Sequence, residues 1–159
     1  MAQTNTLIQP PNTLRMKVGA RSGGGLDPAL LARAEAALAS LSSQFGDWMQ
    51  EELSRLEDAR AAVHADGLSK ETAETLYLRA HDLKGLGATY EFPIVTRMAG
   101  SLCKLLDEPA KRHTAPLYLV DAHIDAIKAA VRQDIRTVDH PVGRVLVTEL
   151  ETRVAEYLA

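Results

Sequence analysis

Aromatic side chains make up only 4% of this 159-residue chain, and it holds a single cysteine. Each shortage excludes something. Sheet-rich folds draw on aromatic and β-branched residues. Here Ala and Leu dominate, and no stretch alternates apolar with polar residues over the length of a strand. Helices packed through small and aliphatic side chains are therefore expected. One cysteine makes neither an internal disulfide nor a thiolate metal cage. Cys103 stands between Leu102 and Leu105, so a small buried core residue is the expected role. A cationic excess is missing too: 18 Lys and Arg face 21 Asp and Glu, for a formal charge of −3. That balance gives no electrostatic footprint for nucleic acid. The short basic pair Lys111–Arg112 reads as solvated surface. No apolar run approaches the roughly 20 residues that cross a bilayer. The start of the chain lacks the charged-then-apolar pattern of a secretion signal. A cytoplasmic location with no membrane partner is the expectation.

Hydrophobic residues make up 46% of the chain and charged ones 25%, as in ordinary globular proteins. The length suits one domain and a tail. Residues 1–26 read as a flexible arm, with Pro10–Pro11, the run Ser22-Gly23-Gly24-Gly25 and no helical period. Within it, Leu14 to Val18 suits a short extended segment. Residues 27–159 read as the folded domain.

Asp27–Pro28 opens the first helix with an acidic cap and a proline at the first helical position. The helix is expected from Ala29 to about His64. Its apolar stripe is Leu30, Leu31, Ala34, Leu38 and Leu41, continued by Phe45, Trp48, Met49, Leu53 and Leu56. Gly46–Asp47 is a candidate kink, and Asp66–Gly67 ends the segment. Ser69 caps a second helix to about Tyr90, with Leu76, Ala80, Leu83, Gly87 and Tyr90 on one face. Pro93 opens a third, from Ile94 to about Leu106, with a stripe of Val95, Met98, Leu102 and Leu105. Asp107 to Ala115 is a polar connection. The fourth runs from Pro116 to about Arg136 behind Leu117, Val120, Ile124, Ile127 and Val131. Asp139 is expected to cap the last, whose stripe is Val142, Val145, Leu146, Leu150, Val154 and Leu158. The expected class is all-α, an antiparallel helical bundle.

The chemically informative stretch is Ala80-His81-Asp82-Leu83-Lys84-Gly85-Leu86-Gly87-Ala88, placed in the middle of the second helix. At about 100° per residue, His81 points away from the Leu76–Ala80–Leu83–Gly87 stripe. Its own face carries Glu74, Tyr77, Leu78, Lys84, Gly85 and Ala88. Gly85 and Gly87 both weaken a helix. Gly87 falls on the core stripe, where a missing side chain admits a neighbouring helix. Gly85 falls one turn past His81 on the open face, where it clears room for a partner. Lys84 supplies a cation for phosphate oxygens. A neutral imidazole has a free lone pair and an ordinary pKa of about 6.5, which suits it to carry a phosphoryl group. Asp82 lies about 100° around the helix and reads as a solvated charge. His64, His113, His123 and His140 have no supporting constellation and read as surface or internally satisfied residues. No metal site is expected, because Gly85 stands where a second ligand one turn from His81 belongs.

His81, Leu83, Lys84 and Gly85 match His-x-Leu-Lys-Gly, and the segment resembles the signature of histidine-containing phosphotransfer (HPt) domains. The resemblance covers about a dozen residues. It implies a four-helix bundle, here with an additional helix, whose active histidine sits on one bundle helix. It also implies His81 as phosphoacceptor and Lys84 as the residue stabilising phosphate charge. Tyr77, Leu78, Gly85 and Ala88 become the docking rim for receiver domains of response regulators and hybrid histidine kinases. The domain would act as a monomer and a phosphoryl carrier, with no kinase activity and no cofactor of its own, Mg²⁺ coming with the receiver. Two positions depart from the pattern. Glu91 stands where the family often has glycine, and Leu86 is bulkier than the usual small residue. Two other readings remain open. His81-Asp82-Leu83 is also similar to the phosphoacceptor box of histidine-kinase dimerisation helices, although too few residues follow for an ATPase domain. A helical interaction module without phosphoryl chemistry is the other.

Overall fold

The computed structural model describes residues 27–159. The expectations for residues 1–26 lie outside the described part. The described chain is all-helical: α1 (Pro28–Asp66), α2 (Lys70–Leu86), α3 (Pro93–Leu105), a 3₁₀ turn (Arg112–Thr114), α4 (Leu117–Arg132) and α5 (Pro141–Leu158). None of these helices is long and apolar enough to cross a membrane. The chain divides within α1, with Pro28–Leu38 in one unit and Ala39–Ala159 in a second. Among the described residues, every buried hydrophobic one belongs to the second.

α1 starts as its sequence dictates, with the Asp27 carboxylate accepting from the Ala29 amide at 3.0 Å. It passes through Gly46 unbroken. Gly67, at φ +84°, stops it in the left-handed conformation that glycine adopts freely. The half of α1 from Met49 onward buries Met49, Leu53, Leu56, Ala59 and Val63. The half before it does not follow the expected stripe. All residues from 27 to 41 are exposed, Leu30 by 55% and Leu38 by 66%. Phe45 is half-buried and Trp48 exposed. The polar ties of α1 to another helix lie in its second half, where Glu57, Arg60 and His64 pair with Lys128, Asp125 and Asp121 of α4 (Leu117–Arg132). The stripe reports amphipathicity, and a stripe needs an opposing surface to become core.

α2 carries a reciprocal cap. The Thr72 amide donates to Ser69 Oγ at 3.2 Å, and the Ser69 amide donates to Thr72 Oγ1 at 2.8 Å. The helix ends at Leu86, four residues before the expected Tyr90. Residues 87–91 form a turn that closes on Glu91 at φ +66°. This is the position where the family that the segment resembles often has glycine. Glu91 holds the strained conformation with its carboxylate tied to Arg136 at 2.9 Å and Ser42 at 3.0 Å.

α4 likewise stops at Arg132, short of Arg136, because Asp134 turns into the left-handed region at φ +53° and Ile135 tucks into the core. The cap expected from Asp139 is absent. His140 stands at the N-cap of α5 with no side-chain hydrogen bond. The buried face of α5 is also rotated from the expected one. Gly143, Val147, Leu150 and Val154 face inward, while Val142, Val145 and Leu158 are exposed. The reason is Gly143: a Cβ there would meet Ile94 Cδ1 at 2.6 Å and Ile135 Cγ2 at 2.9 Å. A contact made by a residue without a side chain leaves no apolar mark in the sequence.

α3 is the most buried element, and all four residues of its expected stripe, Val95, Met98, Leu102 and Leu105, are buried. Cys103 is 4% exposed, as expected of a core residue, and burial pushes its thiol up to about 11. Two polar ties fix α3 to its neighbours. Ser101 on α3 meets His123 on α4, and Arg97 forks onto Glu151 of α5 at 2.7 and 2.8 Å.

Candidate functional site

The outer face of α2 presents His81, exposed, about one and a half turns before the helix ends at Leu86. It therefore sits closer to the middle of α2 than to its C-terminus, as the sequence suggested. No hydrogen bond holds either ring nitrogen among the described residues. Helical geometry sets its neighbours. Tyr77 and Lys84 lie to one side, toward α3. Leu78 and Gly85 lie to the other. Glu74 and Ala88 lie above and below. Leu78, Lys84, Gly85 and Ala88 are exposed, and Tyr77 is half-buried.

The two glycines of this segment are used differently. A Cβ on Gly85 would meet nothing within 4 Å, so the surface beside His81 is open. A Cβ on Gly87 would lie 2.7 Å from both the amide nitrogen and Oγ1 of Thr96. The absence of a side chain lets the start of α3 come up against the end of α2, and Thr96 Oγ1 accepts from the Ala88 amide at 2.9 Å. This is the close approach expected of Gly87.

Lys84 has no ion pair among the described residues. Its stem runs past α3, with Cγ and Cδ at 4.0 Å from where a Cβ on Gly100 would stand. Lys84 and Tyr77 form one edge of a groove of about 830 Å³ whose other walls include Arg97, Lys104, Asp107 and Leu158. Asp82 is paired with Arg79 at 3.2 Å and makes no hydrogen bond to the imidazole.

Tyr77 is engaged on both sides. Its ring centroid is 6.0 Å from that of His81, tilted by 37°. The Arg112 guanidinium covers the ring at 3.9 Å. Arg112 was expected on the solvated surface, yet it is only 5% exposed. Its Nε donates to the Leu106 carbonyl at 2.6 Å, its Nη2 to the Asp107 carbonyl at 3.3 Å, and its Nη1 pairs with Glu74. Lys111, its neighbour, does stay in solvent, paired with Glu108.

Two other histidines, His123 and His64, differ from His81 in having bonded ring nitrogens. His123 is fully buried, with Nδ1 2.7 Å from the Leu119 carbonyl and Nε2 3.0 Å from Ser101 Oγ. A carbonyl only accepts, so Nδ1 carries the proton and Nε2 accepts from the serine hydroxyl. Burial pushes its pKa down. His64 meets Asp121 at 2.9 Å. His123 is thus the internally satisfied histidine the sequence suggested. Among the described residues, no group of three His, Cys, Asp or Glu is placed to hold a metal ion.

No family model, no curated protein and no solved structure matches this chain. The functional reading rests on the site itself.

Proposed function

We propose that this chain is a histidine phosphotransfer protein, which accepts a phosphoryl group on His81 from the aspartyl phosphate of a receiver domain and passes it on to another. The observation that carries the reading is the state of His81: an exposed imidazole with both nitrogens unbonded among the described residues, beside an unpaired lysine and an open glycine. In the transfer, the imidazole lone pair forms the P–N bond as the P–O bond to the aspartate breaks, and the carboxylate leaves. The second ring nitrogen keeps its proton. Such a step depends on in-line positioning and charge stabilisation more than on covalent machinery. Lys84 offers charge to the phosphoryl oxygens, and the receiver brings Mg²⁺. Gly85, Ala88, Leu78 and Tyr77 form the rim on which the receiver docks. In this reading the helices form an antiparallel four-helix bundle with one additional helix, and the protein works in the cytoplasm as a monomer.

Incubation with receivers charged by acetyl phosphate tests the reading. Radiolabel is expected on the wild type and absent from His81→Gln. Lys84→Ala is expected to slow transfer with the fold intact. Equal labelling of wild type and His81→Gln, or no labelling by any receiver of the source organism, sinks the proposal. An obligate dimer through α2 would favour the kinase-like scaffold instead.

A further inference from the structure

Arg112 is the most buried arginine of the described chain and stands 31 positions from His81, in a connection whose composition is polar. Its side chain has three polar partners: two backbone carbonyls at the end of α3 and the Glu74 carboxylate on α2. These bonds fix the plane of the guanidinium, which then lies against one side of Tyr77 at 3.9 Å. Tyr77 in turn stands one turn before His81, with the two rings in tilted contact at 6.0 Å. A surface tyrosine on a helix ordinarily samples several rotamers. This one is held by a planar cation that is itself anchored at three points, and cation–π stacking favours arginine over lysine in that role.

We propose that Arg112 and Tyr77 are positioning residues for His81. The stack fixes the tyrosine ring as a wall that restricts the imidazole to orientations facing the open side at Gly85. The same anchoring draws the Glu74 carboxylate onto Arg112. Glu74 shares the face of His81, and pairing offsets its repulsion of an incoming phosphoryl group. The inference rests on the phosphotransfer reading for its consequence, but its geometry is measurable in the unphosphorylated protein.

The test uses the full chain with Arg112→Gln, Tyr77→Leu, Tyr77→Phe and the neighbouring Lys111→Gln. Two readouts are taken: the His81 imidazole resonances by NMR, and the rate of phosphotransfer from an acetyl-phosphate-charged receiver as a function of receiver concentration. Arg112→Gln and Tyr77→Leu are expected to shift the His81 ring resonances. Both are expected to lower kcat by about tenfold, since small misplacements of a reacting group cost rate; KM stays near the wild-type value in Arg112→Gln and rises in Tyr77→Leu, whose side chain is also part of the docking rim. Tyr77→Phe keeps the ring and is expected to restore both readouts. Lys111→Gln is expected to match the wild type. Tyr77→Leu leaves every hydrogen bond of Arg112 in place, so it remains informative if Arg112→Gln fails to fold. His81 resonances that stay at their wild-type positions in Tyr77→Leu overturn the inference. A loss confined to KM also overturns it, and reduces Tyr77 to part of the docking rim. Failure of the wild type to accept phosphate from any receiver counts against the function proposed above, and the His81 shift in Arg112→Gln, which keeps both rings, still decides the positioning.

Discussion

The two faces of α2 obey opposite rules. On the inner face, Leu76, Ala80 and Leu83 are fully buried and Gly87 admits a backbone atom where a side chain would stand. On the outer face, His81, Gly85 and Ala88 are exposed, and even an added Cβ at Gly85 would meet nothing. The two imidazoles repeat the contrast: His123 has both nitrogens engaged in the core, while His81 has neither engaged among the described residues. Stability is concentrated on one side of the helix, and the groups left available for chemistry lie on the other. A glycine is informative here only through its surroundings, since the same residue type closes a contact at 87 and leaves space at 85.

The largest effect expected from this contrast is at Leu83. Leu83→Ala removes a fully buried side chain and should cost about 2–5 kcal/mol in urea denaturation. Gly87→Ala adds one carbon and should still cost about 1–3 kcal/mol, because the nearest atom is the backbone nitrogen of Thr96 and cannot swing aside. Next comes a pH effect. His123 stays neutral in the folded state below its ordinary value, while the unfolded chain takes up the proton. Stability should therefore fall as pH drops below about 6.5, by up to roughly 1.4 kcal/mol per pH unit until the native group titrates. His123→Gln should flatten that part of a stability-versus-pH curve. The smallest effect has the opposite sign: Gly85→Ala should stabilise the protein by up to about 1 kcal/mol through helix propensity alone. A destabilised Gly85→Ala would show that the outer face is packed and break the contrast outright.

Much of this was legible in the sequence because it is written locally. Asp27, Ser69 and Gly67 mark helix ends through bonds or dihedral angles within a few residues of themselves. His81, Lys84 and Gly85 could be placed on one face by spacing alone, and Cys103 could be assigned to the core from its apolar neighbours. What escaped is set by distant parts of the chain. The stripe from Leu30 to Leu41 is amphipathic, but its exposure depends on what stands opposite. The early end of α2 depends on Glu91 being held by Arg136 and Ser42, 45 and 49 positions away. Arg112 looked like solvated charge because its partners, Glu74 and Tyr77, lie in another helix. A charged residue in a polar loop gives no local sign that a carboxylate and an aromatic ring on another helix wait for it.

The buried thiol of Cys103 has a practical consequence. With its pKa near 11, only about one molecule in a thousand is a thiolate near pH 8, and the residue is 4% exposed. A disulfide-exchange reagent reacts with it at an appreciable rate only when the packing of α3 loosens enough to admit the reagent. Because the chain has no other cysteine, the reaction is a clock with a single hand: its rate at low denaturant reports how often the wall of the groove beside Lys84 comes open.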